Sequence, residues 1–329
     1  MSSKSLFNTT LIKKETKTLF PIIMANFLYM SFFFLYRNLQ MIMQTSTKDY
    51  YQLDDFLRFY RNFPDLGNFS TEIFFMFIAG VMLFSSEKNT KTMEVLVTAP
   101  FSRLQIYMSK ILTALLTLIL PTIVIYIMTY TVVSSDPLIA SVVDLKSAAS
   151  AFAWAVQAKL FVIAYFVMVS MLFGSSLSTA VCGCVFMWMP VGLLGLATMF
   201  FEKFDKAGDL LRNSLKISPV TPIIYSAENV GTNNYILIIY SVLFLAGGYL
   251  LFDMYKMEKN GELLTFKWTE PIFIAGTVLC GAFAMGLLFE AMLYQISEYS
   301  AINKGIGFVI GAALGYIIPK KIINIKRSV

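Results

Sequence analysis

Apolar runs of membrane-crossing length recur along the chain, and no other feature limits its fold so strongly. A helix needs roughly 20 apolar residues to cross a hydrocarbon layer. Runs near that length occupy residues 19–36, 69–86, 111–133, 160–177, 179–201, 235–252, 271–293 and 304–319. Backbone polar groups in hydrocarbon must be satisfied inside their own segment, so these runs are expected to be helices. Composition agrees: 57% of the 329 residues are hydrophobic and 14% charged, too much apolar surface for one soluble core. The expected fold class is an all-α polytopic membrane protein with about eight transmembrane helices.

Charge supports a membrane rather than a nucleic-acid partner. The net charge is +6, but Lys and Arg are dispersed at the ends of the apolar runs instead of forming one basic patch. With eight spans, the side that holds both termini also holds more of the basic residues, including Lys4, Lys13, Lys14, Lys17, Lys88, Lys91, Arg103 and Lys110. The positive-inside rule therefore places both termini in the cytoplasm and the chain in the plasma membrane. The basic N-terminal stretch precedes a run with no small-residue cleavage pattern, so an uncleaved first span is expected. Cys182, Cys184 and Cys280 lie inside apolar runs and there is no histidine, so neither a disulfide framework nor a metal site is expected.

The most informative charged stretch is residues 87–110, EKNTKTMEVLVTAPFSRLQIYMSK, between the second and third runs. Residues 92–99 favour a short helix that Pro100 stops. Ser102 and Gln105 have the spacing of a capping box, so a new helix begins there and enters the membrane. On the short helix Met93, Leu96 and Val97 share one side, while Lys91, Glu94 and Thr98 keep the rest polar. A plain solvated loop between two spans is the simpler alternative for such a stretch.

The order Glu87, then Thr92, Glu94 and Leu96, then Pro100, Ser102 and Arg103, then Ser109 and Lys110 resembles the cytoplasmic coupling element of ABC-2 type permeases. The resemblance implies a six-span core over residues 1–252, a coupling helix gripped by a separate ABC ATPase, and a unit with two permease chains, identical or related. Glu87, Thr92, Met93, Glu94, Leu96, Val97, Pro100, Ser102, Arg103 and Lys110 are then the ATPase-coupling residues. No G-x-x-x-x-G-K-[ST] run is present, so ATP and Mg are expected on the partner and this chain is not expected to be an enzyme. Residues 253–329 depart from a six-span pattern by adding a cytoplasmic segment and a C-terminal two-helix hairpin. In length and in this hairpin the chain is similar to a Bacillus branch of exporters associated with acetoin utilisation and the cell envelope.

Other features carry less specific readings. Residues 37–68 are expected to lie along the outer interface, and residues 202–234 to form an irregular region. Residues 264–268 alternate apolar and polar, which suits a short extended or interfacial segment. Pro190 is expected to kink the fifth span. The fourth span has two placements: residues 148–173, with Lys159 near mid-membrane, or 160–177, with Lys159 at the outer boundary and 141–156 as an external helix. The second is favoured because a central lysine costs about 3 kcal/mol or more. Glu72, Lys159 and Glu290 are candidates for a polar path, although groups within a turn of the boundary are ordinarily hydrated. Gly307, Gly311 and Gly315 form a small-xxx-small pattern suited to close helix contact. The function expected from these features is the permease subunit of an exporter for an amphipathic or hydrophobic substrate. An ion-coupled secondary transporter, or a non-transporting scaffold for envelope-stress signalling, are the alternatives from other classes.

Overall fold

A computed structural model of the chain describes residues 9–36, 38–40, 43, 69–90, 92–135, 137–140, 145–201, 234–256, 261–293 and 300–327. The expected readings of residues 37–68 and 202–234 fall almost entirely outside the described residues. The helices in chain order are α1 (Thr9–Met30, running on as a π-helical turn Ser31–Tyr36), α2 (Phe69–Asn89), α3 (Thr92–Thr98), α4 (Arg103–Val133), α5 (Pro137–Ala140), α6 (Leu145–Leu172), α7 (Ser176–Phe200), α8 (Asn234–Met254), α9 (Thr269–Leu293) and α10 (Ser300–Arg327). Among the described residues there is no strand beyond one isolated bridge. Seven stretches, in α1, α4 and α6 to α10, are long and apolar enough to cross a membrane. Helix α2, the expected second span, is 21 residues long. The molecule is an all-α polytopic membrane protein.

The helices gather into two compact units. The first holds α1 to α4, α6 up to Ser170, and α8. Its centre is α6: 72% of residues are buried in an 18-residue apolar window of Ala148–Leu172, against 28% to 35% in the like windows of α1, α4 and α8. Small residues let the neighbouring helices close on it. Ala148, Ala151, Ala155 and Ala158 pack with Trp154 against Met30 and Phe34 of the first span and Ile125, Tyr126 and Val133 of α4.

This packing corrects the expected fourth span. Residues 145–172 form one continuous helix, so there is no separate external helix over 141–156 ending before Lys159. Lys159 lies near the middle of α6 and is 0% exposed. The penalty that disfavoured this placement applies to a lysine facing lipid. Here the ammonium faces protein, where it donates to Thr122 Oγ1 at 2.6 Å and lies 3.7 Å from Met30 Sδ.

The second unit contains α7, α9 and α10 with the last residues of α6. Phe173 bridges Leu264 antiparallel, Gly261 N–H donates to Gly174 O at 2.9 Å and Thr265 N–H to Leu172 O at 2.9 Å. These bonds join the link between α6 and α7 to the segment before α9, where Leu264 forms one isolated bridge and the chain turns at Lys267 and Trp268. Gly261 has φ +93°, a conformation that only glycine adopts without strain. Aromatic contacts continue the packing, with Phe186 and Phe273 at 5.5 Å, Phe200 and Phe283 at 5.4 Å, and Phe200 and Phe308 at 5.6 Å. The fifth span thus packs with the C-terminal hairpin.

Gly307, Gly311 and Gly315 do place α10 directly on α9. A Cβ at Gly311 would overlap Gly281 O, and one at Gly315 would lie 2.6 Å from Thr277 O. Thr277 Oγ1 donates across the pair to Gly315 O at 3.0 Å. Gly311→Val is therefore expected to push the two helices apart and lower the melting temperature of detergent-solubilised protein by several degrees, against about 1–3 kcal/mol for overpacking. Exposed Gly305→Ala, which meets nothing within 4 Å, is expected to leave it unchanged.

Candidate functional site: the coupling helix and its base

Residues 87–105 fold as the local chemistry dictates. Helix α3 ends with Ala99 N–H donating to Val95 O at 3.1 Å, and Pro100 has no N–H to continue it. Ser102 sits in extended backbone at φ −73° and ψ 150°. Its hydroxyl accepts from Gln105 N–H at 3.2 Å, and its own N–H donates to Gln105 Oε1 at 3.0 Å. Both halves of the capping box are present, so α4 starts where expected.

The presented face of α3 differs from expectation. Met93 is 0% exposed and turned into the protein, while Leu96, Val97 and Glu94 are half-buried. Thr92, Val95 and Thr98 form the exposed strip, with Val95 69% exposed, and Pro100 is exposed beside them. The apolar spacing of Met93, Leu96 and Val97 marks the side that packs inward, which is the ordinary fate of an apolar stripe. Val95, the apolar residue left outside, was missed.

Beneath α3 lies a closed group of four charges. Glu87 at the end of α2 accepts from Lys14 of α1 at 2.5 Å, and its other oxygen lies 2.9 Å from Lys110 of α4. Lys110 also lies 2.9 Å from Glu15 of α1 and donates to Leu83 O at 2.7 Å. Lys14 and Glu15 are 3.5 Å apart. Glu15 is 3% exposed and Lys110 1%. Lys14 reaches water, whereas Glu15, Glu87 and Lys110 are buried and tolerable only as a paired set, since an uncompensated buried charge costs several kcal/mol.

Two further cations tie the same end of the unit together. Lys88 is buried, donates to Ser170 O at 2.5 Å and sits 4.2 Å from the Tyr255 ring. Arg103, expected to face a partner, instead donates to the carbonyls of Phe252 (3.1 Å), Asp253 and Tyr255 (3.4 Å) at the end of α8. A cation there also meets the negative end of the helix dipole. Tyr107 OH donates to Leu245 O at 2.7 Å, and its ring packs 5.7 Å from Phe84 and 6.0 Å from Phe252. So α1 and α4 begin at the end where α2, α6 and α8 finish, the alternation that successive spans require.

Of the polar-path candidates, two have described side chains, each within its own unit. The side chain of Glu72 lies outside the described residues. Lys159 bonds Thr122 within the first unit, whereas Glu290 pairs with Lys304 at 2.8 Å within the second. Among the described residues, no group of three His, Cys, Asp or Glu is placed to hold a metal.

Comparison with known proteins agrees with the geometry. Residues 40–252 match the model of the ABC-2 family transporter proteins. The chain belongs to the ABC-2 transporter family. The match spans α3 and stops near the end of α8, and it identifies the family without the branch. No curated protein and no solved structure matches the chain. Membership makes this a multi-pass transmembrane subunit of an ABC transporter and implies an ABC ATPase as its partner. In the ABC-2 permease the residues of the coupling stretch divide by position: Thr92, Val95, Thr98 and Pro100 face outward, and Glu87, Met93, Arg103 and Lys110 hold the base.

Arg103→Ala is expected to strand the α8 carbonyls and destabilise the first unit by about 1–3 kcal/mol. Thermal unfolding of the purified protein should show the loss. A melting temperature equal to wild type would remove the cap from the description.

Proposed function

We propose that this chain is the permease subunit of an exporter that moves an amphipathic or hydrophobic substrate. A separate ATPase, carrying ATP and Mg, docks on α3 from the cytoplasm. The observation that carries the reading is a short helix whose outer strip is exposed while its base is fixed to four spans. Force applied to Thr92, Val95 and Thr98 passes through Arg103 to α8 and through Glu87 and Lys110 to α1, α2 and α4. Closure of the ATPase then shifts the spans of the first unit together. A second permease chain completes the transporter, with both termini cytoplasmic and the assembly in the plasma membrane.

The character of the substrate follows from what the first unit offers. A groove of about 220 Å³ between α4 and α6 is lined by Ile123, Tyr126, Ile127, Tyr130, Leu145 and Phe152. Ile127 and Leu145 stand at its open side, more than half exposed. Such a surface suits an alkyl or aromatic portion of a cargo better than an inorganic ion.

Val95→Asp should lower ATPase affinity about tenfold or more, because one buried aliphatic side chain contributes about 1–2 kcal/mol and the carboxylate adds a desolvation penalty. Leu96→Asp should act in the same direction. Co-purification of the ATPase with membrane-inserted permease is the measurement. Full recovery of the complex with Val95→Asp would contradict docking on α3.

A further inference from the structure

The base of the coupling helix reaches outside the segment that the family match covers. Glu87 and Lys110 lie within residues 40–252, but Lys14 and Glu15 lie before it. Helix α1 contributes a carboxylate that is almost fully enclosed, and that carboxylate faces a lysine about 10 Å along α4 from the Arg103 corner, at 1.5 Å per residue. Glu15 stands on the buried stripe of α1 that runs Leu11, Glu15, Leu19, Ile22, Asn26, Met30. An acid on that stripe calls for a counter-charge: Lys110, which donates to Leu83 O, lies 2.9 Å from a carboxylate oxygen of Glu15 and 2.9 Å from one of Glu87, and Lys14 stands 3.5 Å from Glu15.

Buried ion pairs contribute little net stability, yet breaking one by removing a partner is strongly unfavourable. Their consequence is therefore a restriction on arrangement. If α1 slid one turn along α4, enclosed Lys110 would lose one of its two carboxylates and keep only Glu87, while Glu15 would keep only the more distant Lys14 of its own helix. Apolar contacts tolerate small slips of this kind, but this group of charges does not.

We propose that Glu15 and Lys110 are positioning residues of the transmission path, locking the start of α1 to the coupling element so that the two move as one body. The proposal rests on the docking reading above and extends it to the first span. The first span then follows the ATPase stroke directly, although the contacted helix lies past the second. Lys14 and Glu87 complete the charge balance on the same side.

The test uses the full permease in complex with the ATPase that co-purifies with it, with Cys182, Cys184 and Cys280 changed to Ser. Spin labels go on cysteines replacing exposed Lys17 of α1 and exposed Thr98 of α3. Their separation is measured without nucleotide and after trapping with ADP and vanadate. In the otherwise wild-type complex the separation should stay constant, whereas a one-turn slip would change it by about 5 Å. The Glu15→Gln/Lys110→Met double variant leaves no charge stranded and keeps Lys14 with Glu87. It should assemble as wild type does, but show a trapping-dependent separation and ATP turnover about tenfold lower. A separation that changes in wild type overturns the proposal, and so does wild-type turnover in the double variant, which would limit the charges to folding. Absence of an ATPase on the wild-type chain, read by co-purification, overturns the docking reading and the transmission path with it.

Discussion

Lys110 holds a positive charge in a place that is 1% exposed, and much of the first unit is arranged so that it need not be there alone. Glu15 arrives from α1, Glu87 from the end of α2, and Leu83 O from the turn before it. Helix α4 cannot shift against α1 or α2 without drawing Lys110, which lacks water to replace a lost partner, away from a carboxylate. Helix α3 follows Glu87 in the chain by a few residues. Its inward residue Met93 is closed off, while Thr92, Val95 and Thr98 stay on the outside. Rigidity below and exposure above are both needed if a short helix is to receive a force and pass it on.

The same reasoning governs Lys159. A lysine in the middle of a membrane span is costly when it faces lipid, and that consideration favours a span beginning after it. The alanines at 148, 151, 155 and 158 make α6 the most enclosed helix of the first unit, so its middle faces protein. Thr122 and Met30 then receive the ammonium. Hydropathy measures the cost of a residue in lipid, and it cannot distinguish a helix surrounded by lipid from one surrounded by helices. Glu290, grouped with Lys159 as a polar-path candidate, pairs with Lys304 inside the C-terminal hairpin.

Much of the architecture was legible because membrane length, capping and small-residue spacing each act locally. Ser102 with Gln105 named the start of α4, Pro100 the end of α3, and Gly307, Gly311 and Gly315 the contact with α9. What escaped the reading depends on which side of a helix meets protein. Met93, Leu96 and Val97 read as a docking face because α3 seemed to have nothing of its own to pack against. Arg103, Glu87 and Lys110 read as ATPase-coupling residues because their partners lie on α8 and α1, far away in sequence. One sign was available: Glu15 falls on the buried stripe of an otherwise basic helix, where an acid calls for a buried cation. Nothing comparable marks Tyr255, whose ring meets Lys88 only through tertiary packing.

The account depends most on which compartment α3 faces. A cysteine at Thr92, in protein whose three native cysteines are replaced, should react with a membrane-impermeant maleimide in inside-out vesicles and not in intact cells. Adding the ATPase to those vesicles should slow the reaction. Labelling of intact cells, or labelling of inside-out vesicles at a rate indifferent to the ATPase, would contradict a coupling helix held at the cytoplasmic face.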